Sequence, residues 1–145
     1  MRGFVLSEDM SSDRHPSEPA LYTLLDELGL PHHTEEHAAV FTVAEGADIK
    51  ARLPGGHSKN LFLKDKAGDY VLVSALGSTV IKLNQLHKRI STKRLSFGKP
   101  EALFELLGVV PGSVTVFSVL NDTDCKVRLI LDLSLIHISE PTRPY

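Results

Sequence analysis

A chain of 145 residues with 42% hydrophobic and 23% charged residues is long enough for one domain with a real core. A formal net charge of −2 excludes the overall basic character of a protein that holds nucleic acid by bulk charge alone. A single cysteine, Cys125, excludes an intrachain disulfide and a cysteine-based zinc site, and suits a reducing compartment.

Residues 1–18 are mostly polar, carry Pro16, and read as a flexible leader. Their apolar trio Phe4-Val5-Leu6 stops at Ser7, Glu8 and Asp9, too short for the core of a signal peptide. No apolar run reaches the length needed to span a bilayer, so no membrane partner is expected. Pro19 and Gly29 bracket a first helix, with Leu21, Leu24, Leu25 and Leu28 as its apolar stripe. Thr42 and Glu45 have the spacing of a capping box and open a second helix towards Arg52, weakened by Gly46. Ser58–Asp65 and Asp69–Leu76 read as strands joined by a Lys66-Ala67-Gly68 hairpin turn. Leu83, Leu86 and Ile90 suggest a short third helix. Pro100 opens a fourth, with Leu103, Leu106 and Leu107 inside and Gly108 as its stop. Val114–Leu120 and Val127–Leu131 read as further strands around the turn Asn121-Asp122-Thr123-Asp124. Helices interleaved with antiparallel hairpins give an α+β class.

Chemistry concentrates at Pro54–Asp65, P-G-G-H-S-K-N-L-F-L-K-D. Gly55 and Gly56 let the backbone turn sharply or approach a ligand. Lys59 and Asn60 follow at the mouth of a buried strand, where a cation, an amide and backbone N–H groups suit an anionic or carbonyl-bearing ligand. A surface turn with a solvated lysine is the competing reading. A second feature is the acid-free run holding Lys82, Lys88, Arg89, Lys93, Arg94 and Lys99. It reads either as a solvated helix face or as a phosphate-contacting patch. His33 to His37 fits H-x-x-E-H, but zinc chemistry needs that motif on a helix, and this segment lacks a helical stripe. A P-loop and a G-x-S-x-G elbow are absent from the sequence.

G-G-H-S-K-N-L-F-L-K-D resembles the signature of the YbaK/prolyl-tRNA-synthetase-associated editing domains. Three more blocks match in order: H-A-A-V-F-T-V-A-E from His37, R-L-S-F-G from Arg94, and G-V-V-P-G-S-V-T-V-F-S-V-L-N-D from Gly108. The resemblance covers roughly residues 21–132 and is strongest to free-standing proteins that remove alanine from mischarged proline tRNA. It implies an α+β fold with a mixed, mainly antiparallel, barrel-like sheet flanked by helices. It implies a cytoplasmic deacylase with no cofactor and no metal. Its partners would be the acceptor end of proline tRNA and prolyl-tRNA synthetase. Lys59 takes the family's critical lysine role, either anchoring the terminal-adenosine phosphate or stabilising the transition state. Asn60 positions the substrate or the lysine. Gly55, Gly56, His37, Gly112, Ser113 and Thr115 become substrate-binding positions, and Lys88, Arg89, Lys93 and Arg94 tRNA-binding ones. The family's loop ends in proline where this chain has Val116, which loosens a turn that proline would stiffen. A non-catalytic tRNA-binding or synthetase-associated module is the rival class, favoured by the basic cluster.

The resemblance stops near Asp132, so the editing domain is expected over residues 19–132. Residues 133–145, beginning L-S-L-I-H-I-S-E-P-T-R, read like a translated sequencing adapter replacing a family segment with a His-Pro-Leu-x-Asn motif. The competing reading is a genuine terminal strand built on Leu133, Leu135 and Ile138.

Overall fold

The computed structural model describes residues 17–35, 37–38 and 43–136. The chain divides into two compact units, Met1–His57 with His137–Tyr145 and Ser58–Ile136, and each is considered by itself. The expected leader lies almost wholly outside the described residues, as does Thr42 of the expected capping box.

In the first unit, helix α1 spans Ser17–Glu27 and gives way to Gly29 at φ +66°. That left-handed conformation is the usual helix stop for glycine. Leu21 is buried and Leu24 and Leu25 are half-buried, as an amphipathic stripe requires. Leu28 departs from the expectation and is 61% exposed. Its N–H still donates to Leu24 O at 3.0 Å, so the helical turn reaches it and loss of periodicity does not explain its exposure. Helix α2 spans Val43–Arg52, and Ile49 and Leu53 are buried.

The second unit holds a four-stranded sheet in the order β3-β1-β2-β4. Strands β1 (Ser58–Asp65) and β2 (Tyr70–Leu76) form the expected hairpin, with Leu63 opposite Val71. Gly68 adopts φ +95° in its turn, a conformation open to glycine and strained for other residues. The short β3 (Leu95–Phe97) pairs antiparallel with β1, and β4 (Val127–Leu131) pairs parallel with β2. Helix α3 is Leu83–Arg89, and α4 is Pro100–Leu107, with Pro100 in its first turn and Gly108 at φ +67° closing it. The result is the α+β class with a mixed, mainly antiparallel sheet flanked by helices.

The expected strand at Val114–Leu120 does not form. A 3₁₀ helix occupies Val116–Asn121 instead. Its β-branched and aromatic composition reads as strand, but two local polar contacts and one to the end of α4 decide otherwise. The Thr115 hydroxyl accepts from Phe117 N–H at 3.3 Å, the Ser118 hydroxyl donates to Thr115 O at 2.5 Å, and Asn121 Nδ2 donates to Leu107 O at 2.8 Å. Such side-chain bonds offer the backbone an alternative to a sheet ladder. Leu133–Leu135 forms one further 3₁₀ turn, whose Ser134 hydroxyl accepts from Leu76 N–H at 3.1 Å.

Alternation along β1 and β2 gives the sheet two apolar faces. On one, Phe62, Leu72 and Val127 pack with Leu103 and Leu107 of α4, joined by Val114 and Val119. On the other, Leu63, Val71 and Val73 pack with Ile90 and Leu95, joined by Leu83 and Leu86 of α3. Leu63, Leu72 and Leu107 are fully buried, each contributing about 1.5–3 kcal/mol through apolar burial. Among the described residues no helix is long and apolar enough to cross a membrane.

Candidate functional site

Lys59 and Asn60 stand near the start of β1, opposite Ala75 and Ser74 of β2. Adjacent strand residues face opposite ways. Asn60 shares its face with Phe62 and the α4 core, whereas Lys59 shares its face with Leu61, Leu63 and the α3 core. The side chains of Lys59 and Asn60 therefore stand on opposite sides of the sheet, an arrangement that suits Asn60 to a substrate contact better than to a direct contact with the lysine.

Their common feature is the strand edge. β3 pairs only with Leu63–Asp65 of β1, and Gly98 N–H adds one bond to Phe62 O at 2.9 Å. Among the described residues, nothing pairs with residues 58–61 on that side. A ligand laid along this open edge would have Lys59 on one flank and Asn60 on the other.

The Lys59 ammonium is half-buried and donates to the carbonyl of Thr79, in the loop between β2 and α3. Among the described residues that is its one acceptor, which leaves two of its three protons without a partner there. Asn60 is more unusual. Both Nδ2 and Oδ1 are buried, and among the described residues neither has a hydrogen-bond partner. Burying an unsatisfied polar atom costs about 1–3 kcal/mol. An amide kept in this condition presents one donor and one acceptor to whatever fills the space beside it.

The remaining expected positions separate into groups. Gly55, exposed and at φ +91°, and Gly56 belong to the first unit. Gly112 also has φ +91°, and a Cβ there would meet nothing within 4 Å, so conformation and not crowding calls for glycine. Ser113 is exposed beside it. Val114 packs into the α4-side core, which places this loop on the face of Asn60 and away from Lys59. Thr115 is buried and caps the 3₁₀ helix, a structural duty that its assignment as a substrate contact did not foresee. Val116 begins that helix, where the first N–H needs no intrahelical partner, so valine fits the place that proline takes in the family.

His37 lies in the first unit. Its Nδ1 sits 2.7 Å from Ala38 O, a pure acceptor, so Nδ1 carries the proton that it donates. Its Nε2 is buried without a partner among the described residues. The H-x-x-E-H segment is not helical at residues 31–35 and 37–38, and His33 Nε2 lies 3.1 Å from Glu35 Oε1. Among the described residues no group of three His, Cys, Asp or Glu is arranged to hold a metal.

Lys88 and Arg89 end α3, exposed, and Lys93 and Arg94 are exposed on the turn that follows Ser91, itself at φ +57°. The Ser134 hydroxyl and then its N–H hold the Asp132 carboxyl below the usual range, with the charge of Arg89 a smaller influence in the same direction. Lys93 and Arg94 sit at the hairpin end of β1: Lys93 N–H donates to Asp65 Oδ2 at 3.3 Å and Lys66 N–H to Arg94 O at 3.1 Å. Lys59 lies six strand residues from Asp65, about 20 Å along the strand. The basic run in the sequence is thus spread along one unit. Two residues escaped the sequence reading. Thr79 acts through its carbonyl, which no sequence pattern announces. Asp65 had a signal, since Asp three positions before Gly at a strand end marks a side-chain-capped turn.

Comparison with known proteins gives this geometry its context. Residues 37–141 match the family described as the aminoacyl-tRNA editing domain. The chain is 33% identical over 121 residues to the prolyl-tRNA editing protein ProX of Acetoanaerobium sticklandii, covering 83% of this chain and 74% of that one. It is 38% identical over 120 residues to the bovine prolyl-tRNA synthetase associated domain-containing protein 1, covering 81% of this chain and 70% of the relative. The human protein of that name, qualified as putative, is 39% identical over 109 residues, covering 72% and 64% respectively. In fold alone, the chain resembles the crystal structure of hypothetical protein APE2540, with a TM-score of 0.60 at 19% identity over 77% of this chain and 72% of that one.

Proposed function

The chain belongs to the aminoacyl-tRNA editing domain family, and on that premise we propose that it hydrolyses the ester of mischarged aminoacyl-tRNA, with Ala-tRNA(Pro) as its substrate. The observation that carries the proposal is the family match over residues 37–141, a range that contains the G-G-H-S-K-N-L-F-L block running into β1. The similarity to a protein named for prolyl-tRNA editing supports proline tRNA as the carrier.

The chemistry required is modest, because an aminoacyl ester is already activated. The site must hold the ester, admit water, and stabilise negative charge as it develops on the carbonyl oxygen. Lys59 supplies the positive charge, with protons left over after its bond to Thr79 O. Asn60 supplies one donor and one acceptor, whose buried, unpaired state ends when substrate fills the space beside them. The exposed Gly112-Ser113 backbone receives the substrate end on the Asn60 side. Lys88, Arg89, Lys93 and Arg94 contact tRNA phosphates. Discrimination rests on pocket size: a small cavity admits alanine and sterically rejects proline, a sharper filter than the roughly 1–3 kcal/mol that one methylene supplies through binding.

The test is a deacylation assay on Ala-tRNA(Pro) and Pro-tRNA(Pro) in parallel, with and without a chelator. Release of alanine, sparing of proline and indifference to chelation are expected. Equal hydrolysis of both, or activity that chelation removes and zinc restores, contradicts the proposal.

A further inference from the structure

The end of β1 farthest from Lys59 is organised by one carboxylate. Asp65 is only 6% exposed, yet Lys64, Lys66 and Lys93 around it make no ion pair with it among the described residues. It binds backbone instead. Oδ1 accepts from Asp69 N–H at 2.9 Å and Oδ2 accepts from Lys93 N–H at 3.3 Å. The Asp69 N–H, followed by those of Lys93, Ala67 and Gly68, holds its carboxyl below the usual range against the opposing effect of burial. The adjacent bond from Lys66 N–H to Arg94 O, at 3.1 Å, ties the same two segments together. One buried group thus joins the hairpin turn to the turn through Ser91, while the side chains of Lys66, Lys93 and Arg94 remain in solvent.

We propose that Asp65 is a positioning residue, fixing the turn at residues 91–94 against the β1–β2 hairpin so that Lys66, Lys93 and Arg94 form one rigid cationic rim for the phosphate backbone of the substrate tRNA. This rests on the editing function proposed above, and it adds Lys66 and Asp65 to the tRNA-binding surface. The physical case is preorganisation. Cations held by a buried carboxylate that does not neutralise them meet phosphates without first losing backbone freedom. The rim lies about 20 Å along β1 from Lys59, so it engages backbone several nucleotides from the esterified end.

Asp65→Asn separates joining from folding. The amide oxygen can still accept from Asp69 N–H, but the amide NH₂ faces Lys93 N–H, donor against donor. tRNA affinity is measured across a salt titration, with steady-state deacylation alongside. The variant is expected to bind about tenfold more weakly at low salt and to show a salt slope shallower by about one for each phosphate that the rim no longer neutralises. The effect should fall on KM and not on kcat. Lys66→Ala, in an exposed turn, should make the slope shallower by about one without moving the melting temperature. Should Asp65→Asn fail to fold, Lys66→Ala and Arg94→Ala decide the matter alone. A wild type that binds and deacylates tRNA, beside folded variants with its slope and KM, overturns this inference only. A wild type that does neither overturns the editing function and this inference with it.

Discussion

Asn60→Leu is expected to make the protein more stable and less active, a combination that few core substitutions give. The side chain has two polar atoms, Nδ2 and Oδ1, both buried and both without a partner among the described residues. Each such atom costs about 1–3 kcal/mol, because hydration is given up on folding and nothing in the protein replaces it. Leucine is close in size, carries no polar atom, and would join Phe62 and Leu72 on an apolar face. A gain of about 2 kcal/mol follows, which for a chain of this length raises the melting temperature by about 4–8 °C. The same change removes a donor and an acceptor from the site, and deacylation is expected to fall by about 10²-fold or more. Asn60→Asp should do the opposite to stability, since it buries a charge with no partner. Thermal melts and single-turnover deacylation on the same preparations give both numbers. A leucine variant destabilised by about 1 kcal/mol or more would show that the amide serves the fold. A stabilised variant with wild-type deacylation would show that the amide is not a substrate contact.

Gly98→Ala is expected to cost about 1–3 kcal/mol, because the new Cβ would lie 2.4 Å from Cδ1 and Cε1 of Phe62, a 5% exposed ring stacked on Tyr70 at 5.3 Å. An unchanged urea midpoint would refute that packing. Acid should destabilise the protein through Asp65 and Asp132, whose carboxyls are held below the usual range by N–H and hydroxyl donors. Groups lowered by folding add stability above the unfolded value near 3.9, and that stability is lost as pH falls below it. Urea midpoints measured from neutral pH into the acid range should therefore drop below about pH 4, less steeply in Asp132→Asn. Parallel curves would exclude Asp132 as a contributor.

Much of the fold could be read from local pattern because local chemistry decides it. Leu61-Phe62-Leu63 bounded by a glycine turn and Asp65 defines β1, and Pro100 with Gly108 brackets α4 at both ends. Non-local features were not legible. The parallel pairing of β4 with β2 brings Leu129 beside Leu72 from far along the chain, and no turn residue signals it. β3 is three residues long, too short to show alternation. Val114–Leu120 failed for another reason: its composition favours strand, but Thr115 and Ser118 satisfy the backbone locally and Asn121 ties the segment's end to Leu107 O of α4. At the site, the glycine turn, Lys59 and Asn60 were visible as residue types. Their opposite orientation follows from strand periodicity, which the motif alone obscured. The unpartnered state of Asn60 depends on what the fold buries, and the grip of Thr79 O on Lys59 depends on a loop 20 residues away.

The most direct measurement is single-turnover release of labelled alanine from Ala-tRNA(Pro) by the wild type and by Lys59→Ala, with melting curves on both. Lys59 is half-buried and donates to one carbonyl, so its removal should leave a folded chain. Removal of a charge acting on the reacting ester should slow release by about 10²–10³-fold. Rapid release by the wild type and near-background release by a folded Lys59→Ala is the predicted result. Release at the wild-type rate by the folded variant, or no release by the wild type, would contradict it.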